Sequence, residues 1–114
     1  MAASDHVSPG QFGGVRYYEG TVHPAQLQPK QAGRVGSKVA SLTSHMQEHG
    51  YAGLPPVETA HVDGQTVIRD GHHRHDAATA TGTPVHIIGS SSRDIPPGTT
   101  EVTADHYDRL WGAL

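Results

Sequence analysis

The sequence of 114 residues predicts one small α+β domain, in which helices flank a sheet that contains a β-hairpin. Asp63-Gly64 is a strong signal for a two-residue hairpin, and the alternate positions of the strands on either side carry Val57, Thr59 and His61, then Thr66 and Ile68. Apolar side chains at helical spacing predict helices over residues 37–49 and 103–113. The length is typical of one domain and too short for two ordinary ones.

The segments before the hairpin are predicted to be a leader, a strand and a helix. Residues 1–14 are rich in Gly, Ser and Pro, so we expect a flexible leader there and a single domain over residues 15–114. A short strand is expected over residues 15–18. The helix over residues 37–49 should end at Gly50, because glycine adopts the left-handed backbone that closes a helix.

The segments after the hairpin are predicted to be a helix, a strand, a loop and a helix. The hairpin leads directly into Asp70-Gly71, and an Ala-rich helix is expected from about residue 72 to residue 81. Residues 85–88 are predicted to be extended, and residues 89–100 to form a loop rich in Ser, Pro and Gly. The last helix should pack its apolar stripe, which includes Trp111, into the core.

The composition excludes several classes of function. The chain has no Cys, which excludes disulfides, thiolate metal sites and cysteine nucleophiles. Its formal net charge of −3 argues against tight binding to long DNA. No apolar run approaches the roughly 20 residues that a membrane-spanning helix needs, and the N-terminal residues lack the pattern of a signal peptide.

The junction between the hairpin and the next helix carries the residues best suited to chemistry. Gly71 lets the backbone approach a ligand closely, and the free N–H groups of a helix N-terminus attract an anion. Arg74 can hold a phosphate through two parallel hydrogen bonds, while His72 or His73 can donate to phosphate or move a proton near neutral pH. Asp70 is a candidate general base and Mg²⁺ ligand. Together these groups are typical of phosphoryl transfer.

Structural roles are the alternatives for the same residues. Asp70 can cap the helix that follows it, and Arg74 can pair with Asp70 or Asp76 at the surface. One of the two adjacent histidines should only pack, because neighbouring helix residues do not share a face. His75 and Asp76 are expected on the solvated flank. The cluster of histidines also has a minor interpretation as a zinc site.

Two further cations are candidate phosphate ligands. Arg34 and Lys38 flank the start of the first helix, where backbone donors would face the same anion. Solvated surface charges are the alternative for both. Glu58 lies in the first strand of the hairpin, on a side that the sequence does not determine.

Residues 21–88 resemble the ParB/sulfiredoxin-like superfamily. The resemblance rests on five segments: Val-His-Pro-Ala-Gln-Leu-Gln-Pro (22–29), His-Gly at the end of a helix (49–50), Pro-Pro-Val (55–57), Val-Ile-Arg-Asp-Gly-His-His-Arg (67–74) and Thr-Gly-Thr-Pro-Val (81–85). It implies the fold of that superfamily and a nucleotide or phosphate site at residues 71–74.

The superfamily includes sulfiredoxins, CTP-binding chromosome-partition proteins, free serine kinases and domains described as nucleases, some of them in bacterial toxins. Sulfiredoxin chemistry needs a cysteine where His72-His73 stands. Partition proteins typically have Gly-Glu-Arg-Arg at this loop. The kinases resemble the Asp-Gly-His-His-Arg loop best, and their Asp there is catalytic, but Lys30-Gln31 stands where they carry a second acidic residue.

The residues and the resemblance together predict an enzyme that binds phosphate groups or nucleotides. The first interpretation is metal-assisted phosphodiester hydrolysis of the nuclease type, with Asp70, His72 and His73 catalytic and Mg²⁺ on Asp70. The expected ligand is a nucleotide such as ATP, ADP or CTP, or a short nucleic acid. A kinase of a small metabolite such as serine and a non-catalytic nucleotide-binding module are the alternatives. The cytoplasm and secretion as part of a toxin are both compatible with the sequence.

Overall fold

A computed structural model describes residues 14–29 and 36–112 of the chain. The elements are β1 (Arg16–Val22), a 3₁₀ turn (Pro24–Gln26), β2 (Leu27–Gln28), α1 (Gly36–His49), β3 (Val57–Val62), β4 (Gln65–Asp70), α2 (His72–Thr81), β5 (Val85–Ser91), β6 (Thr99–Val102) and α3 (Ala104–Trp111). The strands form one six-stranded sheet in the order β2-β4-β3-β5-β1-β6. The predicted α+β class is confirmed. The predicted leader up to residue 13 lies outside the described residues, and so does Arg34.

The predicted hairpin is formed by β3 and β4. Asp63 and Gly64 have φ angles of 52° and 78°, and a two-residue turn with two positive φ angles matches the twist of the strands that it joins. The two predicted helices around the hairpin are also present as α1 and α2. Gly50 and Gly82 follow them with φ angles of 64° and 68°, as the closing role of glycine requires.

The sheet is mixed because the chain crosses over between β3 and β5. These two strands are parallel, and the chain passes from one to the other through β4 and α2. β5 then pairs antiparallel with β1, and β1 pairs antiparallel with β6. This order leaves the junction between β4 and α2 next to the start of β3.

Two strand assignments from the sequence were wrong. β1 runs to Val22 rather than ending at residue 18, and the predicted loop over residues 89–100 contains the end of β5 and the first two residues of β6. The cause is two glycines that mark close packing rather than a break. A Cβ at Gly20 would lie 2.6 Å from the carbonyl oxygen of Gly98. A Cβ at Gly89 would overlap the Tyr18 hydroxyl and the Thr59 carbonyl oxygen.

The core lies on the face of the sheet that α1 and α2 cover. Its fully buried side chains include Tyr18, Val57, Ile68 and Ile87. The Tyr18 hydroxyl donates to Thr59 Oγ1 at 2.6 Å. The Thr59 hydroxyl donates in turn to the carbonyl oxygen of Ile88 in β5 at 3.1 Å. Burial raises the pKa of Tyr18 to about 12, so the phenol is a neutral donor inside the core.

The opposite face of the sheet carries α3, which packs through aromatic side chains. The rings of Tyr17 and Tyr107 lie 4.6 Å apart, and Trp111 meets the edge of Tyr107 at 6.3 Å. The prediction that Trp111 packs into the core was wrong, because its side chain is 40% exposed. No helix in residues 14–29 and 36–112 is long and apolar enough to cross a membrane.

Replacing Gly89 with Ala should destabilise the domain by at least about 2 kcal/mol, since the new methyl group overpacks the sheet against Tyr18. Thermal unfolding measures the effect. Gly14→Ala is the matched control, because a Cβ at Gly14 has no neighbour within 4 Å and should leave the melting temperature almost unchanged. Equal melting temperatures for the two variants would contradict this account of β5.

Candidate functional site

The junction between β4 and α2 begins with a glycine that no other residue can replace without strain. Gly71 is the N-cap of α2, has a φ angle of 103° and offers no side chain to cap the helix. A Cβ there would lie 2.9 Å from Arg74 Nη2 and 3.2 Å from a methyl group of Val57. The first N–H groups of α2 have no partner within the helix, so they are available to an anion.

Asp70 is not the cap of α2. The alternative that assigned it this role was wrong, because Gly71 stands at the N-cap position. The side chain of Asp70 is exposed at the end of β4. It is therefore accessible to a ligand bound at the start of α2.

The Arg74 guanidinium turns inward beneath Gly71. Nη2 donates to the carbonyl oxygen of Pro56 at 3.4 Å, and the charge of the guanidinium lies close to the Tyr51 hydroxyl. Burial raises the pKa of Tyr51 to about 12, although the charge of Arg74 acts against this rise. Among the described residues Arg74 contacts these groups rather than Asp70 or Asp76, so the predicted surface pair was wrong.

The three histidines at the start of α2 have different environments. His72 is buried, and His73 is half-buried. His75 is also buried, and its Nε2 donates to the carbonyl oxygen of Pro24 at 2.8 Å. The expectation that His75 lies on a solvated flank was therefore wrong. Because β1 and the 3₁₀ turn bring Pro24 against α2, His75 fixes the helix to the sheet.

Three successive side chains of α2 each have a buried nitrogen that makes no hydrogen bond within the described residues, although His75 Nδ1 lies 3.9 Å from an oxygen of Asp76. His73 Nε2, Arg74 Nε and His75 Nδ1 make no hydrogen bond to any described part of the chain. Buried donors and acceptors in folded proteins are almost always paired, with the protein, with water or with a ligand. The start of α2 therefore contains buried nitrogens whose hydrogen-bonding capacity is not used within the described residues.

Glu58 is the site residue that the sequence did not identify. In the β3–β4 ladder Glu58 is opposite Asp70 and Thr59 is opposite Ile68, so Arg69 is an extra residue in β4. Such a bulge re-aims the side chains beyond it. Ile68 enters the core, whereas Asp70 lies beside Glu58. Because side chains alternate along a strand, Glu58 lies on the opposite face of the sheet from Val57 and Thr59. Glu58 is covered there by α3, and the sequence of β3 alone does not show this.

Glu58 as a whole residue is 8% exposed, and its carboxyl group has an unusual electrostatic environment. Burial raises its pKa, and the nearby charge of Asp70 raises it further, while Arg69 and Tyr107 lower it. The Tyr107 hydroxyl donates to Glu58 Oε2 at 3.4 Å. The rings of Tyr107 and Trp111 also make a T-shaped contact at 6.3 Å, so α3 helps to hold the donor in place.

α3 is fixed to the sheet by a carboxylate between two histidines. His86 Nε2 donates to one oxygen of Glu19 and His106 Nε2 to the other, each at 2.8 Å. Burial alone would raise the pKa of Glu19, but the hydrogen bonds from His106 and His86 outweigh it and lower the pKa. Because His106 belongs to α3, this cluster positions Tyr107 over Glu58.

The described side chains do not build a metal site. Within residues 14–29 and 36–112 there is no group of three or more His, Asp and Glu side chains that could hold a metal ion. The expected Mg²⁺ on Asp70 and the zinc interpretation of the histidines therefore have no set of ligands here, and we assign no step to a metal. Lys38 lies in α1, but its side chain is outside the described part.

A cavity lies at the other end of the sheet, away from the start of α2. It has a volume of about 570 Å³ and is lined by polar side chains that include His61, Asp63, Arg93 and Asp94. The turn Asp63-Gly64 starts β4 and Gly71 follows its end, so the length of β4 separates this cavity from the start of α2. None of the residues predicted from the sequence to carry chemistry lies in it.

Comparison with known proteins identifies the fold. No family model matches the sequence, and no curated protein does. Among solved structures, sulfiredoxin from Arabidopsis thaliana aligns with a TM-score of 0.52 and 18% identity, over 62% of this chain and 82% of that one. The chain has the ParB/sulfiredoxin-like fold.

Two further solved structures are also similar to this chain. A chromosome-partitioning protein ParB from Caulobacter crescentus, complexed with CTPγS, aligns with a TM-score of 0.49 and 19% identity over 75% of this chain. A protein from Agrobacterium tumefaciens aligns with a TM-score of 0.50 and 16% identity over 86% of this chain. The chain spans about half of each, 47% of their lengths. Likeness at these identities shows the fold alone.

Replacing Glu19 with Gln should lower the free energy of unfolding by about 1 kcal/mol at pH 7, because charge-assisted hydrogen bonds to two histidines are lost. The pKa of Glu19 is lowered in the folded state, so its contribution is complete above the ordinary value of 4.5 and is lost as the pH falls through the folded pKa. The difference between the two proteins should thus close in acid. Denaturant unfolding across this pH range measures it, with the exposed Glu48→Gln as control.

Proposed function

We propose that the chain binds a nucleotide through its phosphate groups at the start of α2 and hydrolyses a phosphoanhydride or phosphodiester bond there. The observation that carries this proposal is that two buried nitrogens, His73 Nε2 and Arg74 Nε, make no hydrogen bond within the described residues and lie in the first turn of a helix whose N-terminus has no side-chain cap. A phosphate group has acceptor oxygens for such donors, and the helix dipole favours its charge.

The position of Arg74 suits a phosphate rather than a large polyanion. Its guanidinium is oriented by the hydrogen bond to the Pro56 carbonyl oxygen, and it lies close to the Tyr51 hydroxyl. Nε is left for the ligand. With a net charge of −3, the chain lacks the excess of cations that holds long DNA, so a nucleotide or a short nucleic acid is the better ligand.

The reaction that fits the site is attack by water on phosphorus. Exposed Asp70 takes a proton from the water as the water oxygen bonds to phosphorus. The bond from phosphorus to the leaving oxygen breaks, and His73 supplies a proton to that oxygen. Arg74 and the N–H groups of α2 offset the charge on the phosphoryl oxygens. The alternatives differ in outcome: a kinase would transfer the phosphoryl group to a hydroxyl, and a binding module would show no turnover.

Replacing Arg74 with Ala should weaken the binding of ADP by about 1.5–3 kcal/mol, the usual worth of a charge-assisted hydrogen bond. Isothermal titration calorimetry measures this change. Arg93→Ala is the matched control, because Arg93 lines the cavity at the other end of the sheet and should leave the affinity unchanged. If the affinity for ADP fell in Arg93→Ala but not in Arg74→Ala, the nucleotide would bind in that cavity instead.

Replacing Asp70 with Asn should keep the affinity for ADP but reduce turnover about 100-fold or more, because a general base is lost from an exposed position outside the core. Release of phosphate from ATP, ADP and CTP, and cleavage of short single-stranded oligonucleotides, measure the activity with and without Mg²⁺. Full activity in this variant contradicts the role of Asp70. Binding without turnover in the unmodified protein would favour the non-catalytic module.

A further inference from the structure

Glu58 is a buried carboxylate with too few hydrogen-bond donors. The residue is 8% exposed, and in the part of the chain that the structure describes only Tyr107 donates to its side chain, at 3.4 Å to Oε2. A carboxylate has room for about four hydrogen bonds on its two oxygens. Oε1 is not one of the described side-chain atoms that are both fully buried and unpaired, so it still reaches the surface, where a ligand can supply a further donor.

The missing partner is a hydrogen-bond donor of the ligand. Asp70 lies opposite Glu58 across the ladder, and two carboxylates side by side repel an acceptor but favour a donor between them. Arg69, in the bulge, offsets part of this negative charge. Oε1 of Glu58 makes no hydrogen bond within the described residues, so it is the atom that a ligand can reach.

The position of Glu58 relates this donor to the phosphate site. Gly71 follows Asp70 in the chain and opens α2, where the proposed phosphate groups bind. A ligand held there by phosphate that also reaches Glu58 must carry a neutral donor near the phosphate, because the ligand is already an anion. The hydroxyl groups of a ribose meet this requirement, since each can donate to a carboxylate oxygen.

We propose that Glu58 accepts a hydrogen bond from a ribose hydroxyl of the bound nucleotide, and that it makes the site select ribonucleotides over deoxyribonucleotides. The inference deepens the proposed function and rests on it. Tyr107 is a positioning residue in this account, because its hydroxyl occupies Oε2 and leaves Oε1 for the ligand. The ring of Trp111 contacts Tyr107 in turn.

The test compares the affinities of ADP, 2′-deoxy-ADP, 3′-deoxy-ADP and inorganic pyrophosphate by calorimetry. The unmodified protein should bind ADP about 10-fold or more tightly than at least one deoxy analogue, because a site that binds a hydroxyl rejects a ligand without it. In Glu58→Met, which keeps the chain length but removes the acceptor, ADP should bind as weakly as that analogue. Pyrophosphate, which has no ribose, should bind both proteins equally. Glu48→Met, at an exposed position on α1, is the control and should change none of these affinities.

The outcomes separate this inference from the proposed function. If neither ADP nor pyrophosphate binds the unmodified protein, both are overturned. If pyrophosphate binds but ADP and both deoxy analogues bind equally, only the role of Glu58 is overturned. The same holds if Glu58→Met keeps the discrimination, or if it weakens pyrophosphate as much as ADP. Should that variant not fold, the comparison of ligands on the unmodified protein still decides, and Glu58→Gln should reduce the discrimination.

Discussion

The extra residue in β4 determines which side chains the site receives. In a regular strand Ile68 and Asp70 would point to the same face, so Asp70 would enter the core together with Ile68. The bulge at Arg69 lets Ile68 fill the core while Asp70 lies opposite Glu58. The polypeptide then turns at Gly71 into α2. The core and the candidate site are thus built from neighbouring residues of one strand without competing for the same space.

The two faces of the sheet contribute different parts of the site. The face covered by α1 and α2 carries the packed core, and α2 presents its N-terminus at the edge of that face. The other face carries α3, which brings the Tyr107 hydroxyl to Glu58. The pair of histidines on Glu19 fixes α3 at this position. A change in α3 is therefore expected to reach the site through Tyr107 rather than through the core.

Local signals in the sequence predicted the hairpin, both central helices and the glycine junction between β4 and α2, because turn glycines and helical spacing act over a few residues. The end of β5, the whole of β6 and the length of β1 were not predictable in this way. Gly20 and Gly89 look like breaks in the sequence, yet they are required where the Gly98 carbonyl and the Tyr18 ring approach the strands. Burial of Glu58 depends on α3, which is far from it in the chain, so no local pattern could show it.

The position of the bound nucleotide is the measurement that tests this account most directly. Amide chemical shifts of the ¹⁵N-labelled protein, followed during titration with ADP, report which residues the ligand contacts. The account predicts that the largest changes fall on Gly71, on the first turn of α2 and on Glu58 across the ladder. Changes concentrated around His61 and Arg93, at the cavity beside the hairpin turn, would contradict it.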